Sequence, residues 1–155
     1  MTRGKKIALT IGIVLGVLII GAAAYGYIFL TGGTARYAGT VVQEHLSEDV
    51  QIYRDDRGAA YLYAQSLDDL LFAQGYVHAQ ERLFQMDLHR RVVQGRISEI
   101  VGEAMLEMDV SMRTIGLHVV AEKTYEQTSE EGRAALEAYA RGVNAYLEEG
   151  NTLPP

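Results

Sequence analysis

The chain has 155 residues, a formal net charge of −6, 48% hydrophobic residues, 16 glycines, two prolines and no cysteine. One ordinary domain fits that length, and the missing cysteines exclude a disulfide framework, a thiolate zinc site and a cysteine nucleophile. Arg3, Lys5 and Lys6 precede the first apolar run, which leaves 11 basic against 20 acidic residues after it; so acidic a remainder argues against nucleic-acid binding.

Ile7 to Leu30 carries no charged residue. Its 24 residues at ~1.5 Å each make ~36 Å of helix, enough to cross a ~30 Å hydrocarbon layer with some tilt. The three basic residues before it predict a cytoplasmic N-terminus and an extracytoplasmic remainder. Tyr25, Tyr27 and Phe29 fit an interfacial aromatic belt. Residues 1–30 are therefore expected to be a signal anchor, with residues 7–30 as the membrane contact. Cleavage near Ala22-Ala23-Ala24 is the alternative, and it would give a secreted protein. Residues 31–39, with Thr31-Gly32-Gly33-Thr34, are expected to be a flexible linker.

Residues 40–155 begin with β signals. Val50-Gln51-Ile52-Tyr53-Arg54 alternates, as does the shorter Thr40-Val41-Val42 with its neighbours. Asp55-Asp56-Arg57-Gly58 reads as a turn, and Ala59 to Ala64 as a returning strand, which makes a hairpin. From Ser66 the pattern is helical. Ser66 with Asp69 resembles a capping box, and the helix is expected to reach about Gln94 before Gly95 ends or kinks it. Leu70, Val77, Phe84 and Leu88 mark its apolar stripe, widened by Tyr76, Leu83 and Met86.

A short helix over Ile97–Val101 is expected to end at Gly102. Asp109 is expected to cap a helix running to about Glu126, and Thr128 with Glu131 to cap the last one, although Ser129 is also a good helix-start residue. That last helix repeats Leu136, Tyr139, Val143 and Tyr146 or Leu147 at spacings of three and four. The fold class expected is α+β, with an N-terminal transmembrane helix, a short hairpin and several helices that look like one edge of a larger structure.

The residues that could carry chemistry do not assemble into a motif. His45, His78, His89 and His118 form no HExxH or HxH; His78 and Glu81 sit one turn apart, but two ligands are not a metal site. Asp55 and Asp56 lack the ligand spacing of a calcium loop and read as a solvated turn. No serine lies in GxSxG, and no glycines form GxGxxG or a P-loop. No catalytic, cofactor-binding or metal residue is therefore assigned. In Gly75–Arg91, polar residues are interleaved with large apolar ones round most of the helix, which predicts a central helix with internal polar contacts. Arg82 is expected to have a buried partner, Asp87 and Arg91 to pair at i, i+4, and Glu99 to serve an arginine.

At these residues the sequence resembles the penicillin acylase (penicillin amidase) family of N-terminal nucleophile hydrolases. Ile52-Tyr53-Arg54-Asp55-Asp56-Arg57-Gly58 resembles its RDxxG hairpin, and Ala64 to Asp69 its strand-to-helix step. Gly75-Tyr76-Val77-His78-Ala79-Gln80-Glu81-Arg82-Leu83-Phe84-Gln85-Met86 resembles its most recognisable block. Arg90-Arg91, Gly95 to Glu99, Asp109 with Arg113, and Tyr139 to Tyr146 continue the series. Glu81 stands where the family usually has Asp, and Gly58-Ala59-Ala60-Tyr61-Leu62 lacks the Pro and His of GVPHI.

The resemblance implies an αββα Ntn fold of which residues 40–155 are the N-terminal portion of the α chain, an incomplete domain. It also implies a self-cleaving precursor and amide hydrolysis through an acyl-enzyme. The nucleophile, oxyanion donors and calcium ligands are then expected beyond Pro155. The fragment alone is expected to be inactive, with the remainder of its own precursor as partner. The implied substrate is a small linear acyl amide, such as a β-lactam side chain or an acyl-homoserine lactone. A membrane-anchored binding or interaction domain without catalysis is the alternative.

Overall fold

The computed structural model describes residues 3–31 and 37–150, with side chains for 12–27 and 37–150. It divides into two compact units, Met1–Gly39 and Thr40–Pro155.

The first unit is one helix, α1 (Arg3–Thr31), 29 residues long. It takes in the whole uncharged run, because Leu, Ile, Ala and Gly next to one another offer no cap or turn signal. Among the described residues no helix is long and apolar enough to cross a membrane. The side chains described in α1 stop short of a full span. Ile13, Leu15, Val17, Ile19 and Ile20 are all more than half exposed. Most of the expected linker, 32–36, lies outside the described residues.

The second unit opens with an irregular segment. Thr40–Val42 forms no strand, contrary to expectation, because no neighbouring strand pairs with it among the described residues. The hairpin does form, from β1 (Gln51–Arg54) and β2 (Ala60–Tyr63), antiparallel, with Ile52 opposite Leu62 and Tyr53 opposite Tyr61. Its turn is closed by the Asp55 carboxylate, which accepts from the N–H groups of Arg57 and Ala59, both at 2.9 Å. Gly58 supplies the positive φ of 80°.

Five helices and a 3₁₀ turn make up the other regular structure described in this unit. The longest in this unit is α2 (Leu67–Gln94). Ser66 caps the helix as expected, with the Asp69 N–H donating to Ser66 Oγ at 3.0 Å; the return bond differs from a full capping box, since the Ser66 hydroxyl and not its backbone N–H donates to the Asp69 carboxylate, at 2.8 Å. Gly95 ends the helix in the left-handed region, with Gly95 N–H to Val92 O and Arg96 N–H to Arg91 O. One feature departs from expectation: Arg82, at φ −140° and ψ 24°, kinks the helix in mid-course. Neither proline nor glycine sits there. The half before the bend packs at Gly75 against Tyr139, and the half after it ends where Arg113 donates to Gly95 O.

After α3 (Ser98–Val101) and a 3₁₀ turn (Glu103–Met105) come α4 (Leu106–Ile115) and α5 (Leu117–Gln127). A single helix was expected here; Gly116, at φ +74°, divides it. Asp109 lies inside α4 and does not cap it. The last helix, α6 (Glu130–Glu148), is capped by Ser129, whose hydroxyl oxygen accepts from Gly132 N–H at 3.1 Å; Thr128 is therefore not the cap.

The main contact is α2 on α6, and it uses part of the apolar stripes expected: Tyr76 and Val77 are buried, and Tyr146 packs against that core. Phe72, Ala73, Tyr76, Val77 and Ala79 of α2 and Ala138 and Ala145 of α6 are buried, whereas Phe84 and Leu136 are 44% and 53% exposed. The α6 face is made of small residues, Ala138, Gly142 and Ala145, because the two backbones cross closely.

Candidate functional site

The polar residues of the signature stretch were expected to make internal contacts; Gln80 and Arg91 are half-buried, whereas Arg82, Gln85 and Arg90 are exposed. The polar contacts form two groups, one on each side of Arg82.

The first group fastens the hairpin and α6 to the N-terminal half of α2. Arg54, at the end of β1, donates to Gln80 Oε1 at 2.7 Å and pairs with Glu81 at 3.1 Å. Its side chain is only 15% exposed, so this ion pair is screened less than a surface pair. His78 Nδ1 lies 2.9 Å from the Tyr139 hydroxyl, with the rings edge to face. The Tyr76 hydroxyl donates to the Glu149 carboxylate, to which Gln43 also donates at 2.6 Å. Burial, then the Glu149 carboxylate beside it, pushes the Tyr76 phenol up. Asp69, 1% exposed, accepts from the N–H of Ser47 at 2.8 Å as well as from Ser66. Those two bonds hold its carboxyl below the usual range against the opposing effect of burial.

The second group clasps the turn after α2. Asp87 accepts from Arg91 and Arg90, both at 2.6 Å, and Glu99 from Arg91 and Arg96. Both pairings expected from spacing are present. The arginines hold both carboxyls low: Arg91 then Arg90 at Asp87, and Arg96 at Glu99. Asp109 caps α3 from a distance, accepting from Ile97 N–H at 2.8 Å, Ser98 N–H at 3.0 Å and the Ser98 hydroxyl. Burial raises its pKa, but the hydrogen bonds from Ser98 and Ile97, with Arg113 nearby, bring the net value below the ordinary one. Arg113, one turn on, donates to Gly95 O at 2.9 Å.

Arg82 corrects the expectation made for it. It is exposed and no partner is recorded for it, and the internal arginine of this region is Arg54. Periodicity cannot show which of two arginines turns inward, because the choice depends on where the hairpin docks.

Among the described residues, catalytic geometry is not brought together. Ser66 and Ser98 hydroxyls serve capping carboxylates, with no histidine recorded as their base. His78 goes to Tyr139 and Glu81 to Arg54, so the two do not converge. Among the described residues no three His, Asp or Glu side chains gather as a metal requires. Sequence reasoning missed the long-range role of Asp109: residue order placed it at a helix start, and only the fold shows it buried one turn inside α4.

A family model described as Penicillin amidase matches residues 49–155. Penicillin acylase 2 proenzyme of Pseudomonas sp. (strain SE83) is 38% identical over 117 residues, covering 76% of this chain and 15% of that protein. The acyl-homoserine lactone acylase QuiP of Pseudomonas aeruginosa is 45% identical over 102 residues, covering 66% of this chain and 12% of that one. The chain thus spans about a seventh or less of the length of these relatives. Among solved structures, thermostable penicillin G acylase from Alcaligenes faecalis superposes with a TM-score of 0.59 at 32% identity, covering 65% of this chain and 54% of that chain.

Proposed function

The chain belongs to the penicillin amidase family, and from that membership we propose that it is the N-terminal portion of the α chain of an acyl-amide hydrolase. The observation that carries this reading is the continuous family match over 49–155, which takes in the hairpin, both clasps and α6. The relatives are named for penicillins and for acyl-homoserine lactones; a small linear acyl amide is the substrate class common to both.

In this reading residues 40–155 are a frame for a site completed by the remainder of the precursor. The nucleophile exposed by self-cleavage would lie there, and attack the amide to form an acyl-enzyme. The calcium implied by family resemblance finds no ligand set among the described residues: Asp55 closes a turn, and Asp69 and Asp109 serve backbone N–H groups. No step is assigned to a metal here.

The α1 helix is read as the membrane anchor that holds this frame outside the cytoplasm. At 29 residues it is about 43 Å long. Its sequence carries no charge between Ile7 and Leu30, after a basic Arg3, Lys5 and Lys6. A reporter active only outside the cytoplasm, fused after Gly33, should work; one active only inside should not.

The activity test is release of a chromogenic amine from phenylacetyl and fatty-acyl amides. The product of the whole reading frame should hydrolyse them, and residues 36–155 alone should not. Turnover by 36–155 alone would overturn the placement of the nucleophile. A full product that binds acyl amides without cleaving them would identify a non-catalytic binding relative.

A further inference from the structure

Buried residues in the second unit fall into two separate sets. One contains Asp69, Phe72, Ala73, Gly75, Tyr76, Val77 and Ala79 of α2 with Ala138, Gly142 and Ala145 of α6. The other contains Gly95, Ile97 and Asp109. No residue between Ala79 and Gly95 is buried, and none between Asp109 and Ala138. Both chain connections between the two small cores therefore pass through half-buried and exposed residues only.

Each connection contains a break. In the first, Arg82 leaves helical geometry and makes no recorded contact that would hold the kink at one angle. In the second, Gly116 separates α4 from α5 at φ +74°, where a Cβ would meet only the Arg113 carbonyl, at 3.9 Å. Everything between the breaks is cross-linked to itself: Asp87 to Arg90 and Arg91, Arg91 and Arg96 to Glu99, Asp109 to Ile97 and Ser98, Arg113 to Gly95. Everything outside them is fastened to α6 or the hairpin, through Arg54–Glu81, His78–Tyr139, Tyr76–Glu149 and Arg141–Asp68. Past Gly116, α5 rejoins that body through Tyr125 to Glu137 and the Arg133 guanidinium over the Tyr125 ring.

We propose that residues 83–115 form an arm that turns as a rigid body on the rest of residues 40–150, with Arg82 and Gly116 as its two pivots. The physical basis is the contrast in restraint. Turning about these positions breaks no buried packing, whereas bending the arm internally would strip the capping carboxylate from α3. Hinges are commonly a few residues at element ends or irregularities that absorb the change in φ and ψ. The arm carries Leu106, Val110 and Ile115 exposed on α4, so its motion would move an apolar surface relative to α6.

The chain has no native cysteine, so spin labels can be placed cleanly. In the full chain, electron–electron distance measurements on Val110→Cys with Leu136→Cys report arm against body. Leu67→Cys with Leu136→Cys reports the body, and Ile100→Cys with Val110→Cys the arm. All four positions are more than a third exposed. The arm–body distribution should be about twice as broad as either control or bimodal. A distribution as narrow as the controls overturns the proposal.

If a label pair prevents folding, hydrogen exchange on the unmodified full chain decides the matter. Amides at 83–86 and 117–120 should exchange on the order of tenfold or more faster than those at 72–79 and at 110–113. Equal protection across all four stretches overturns the proposal.

Discussion

Gly75 and Gly142 each sit against the other helix's backbone: a Cβ on Gly75 would collide with the Tyr139 carbonyl, and a Cβ on Gly142 with the Phe72 carbonyl. This reciprocal contact sets the separation of α2 and α6, and it explains why the buried face of α6 is Ala138, Gly142 and Ala145 and leaves out Leu136.

The sign of a Gly→Ala change at this crossing tests that account. By helix propensity alone, alanine at either site would stabilise by about 1 kcal/mol. Collision with a carbonyl on a neighbouring backbone, which has no flexible end to give way, should cost about 3 kcal/mol or more. The collision wins, and Gly142→Ala should lower the midpoint of chemical denaturation sharply. An unchanged or raised midpoint would show that the helices can move apart freely.

Arg54 and Arg82 should differ in the direction opposite to the one their sequence setting implies. Arg54→Ala removes a partly buried pair to Glu81 and a bond to Gln80 and should cost about 1.5–3 kcal/mol. Arg82→Ala should cost about 0.5 kcal/mol or less. A double-mutant cycle of Arg54→Ala with Glu81→Gln should show coupling, and additive effects would count against the pair.

Asp69 ties the segment ahead of the hairpin to the start of α2. Asp69→Ala should cost about 1–3 kcal/mol, because the Ser47 N–H loses its acceptor inside the fold. Asp69→Asn keeps one acceptor oxygen and should recover roughly half of that. Equal losses in the two variants would indicate that the charge, and not the acceptor, is what matters.

Acid should weaken the second unit through Asp69 and Asp109. Both carboxyls have folded pKa values below the ordinary 3.8. The unfolded chain therefore binds protons first as pH falls. The stabilisation is complete above about pH 5 and is lost as pH drops through 3.8 toward the lower folded values. The melting midpoint should fall over that window, and the Asp69→Asn, Asp109→Asn double variant should show a flatter profile. An equally steep profile in the double variant would assign the acid sensitivity to other carboxylates.

The local devices were legible from residue order. Ser66 with Asp69, Gly95 at a helix end, the Asp55 turn and the Asp87–Arg91 pair all act over five residues or fewer, and steric and hydrogen-bond preferences at that range need no tertiary partner. The family signature was legible for the same reason, because its blocks are short runs in a set order.

Other features were decided only when elements met. Asp109 looked like the start of its own helix, but its carboxylate serves backbone N–H groups eleven and twelve residues earlier. Apolar periodicity marks large side chains, so it selected Leu136 for a face that close backbone approach reserves for glycine and alanine. The kink at Arg82 has no residue signal, since neither proline nor glycine stands there. Sequence alone determined composition, the Ser66 and Gly95 caps and the family; tertiary structure chose which arginine, which acid and which helix face turn inward, because burial depends on a partner surface that no local spacing encodes.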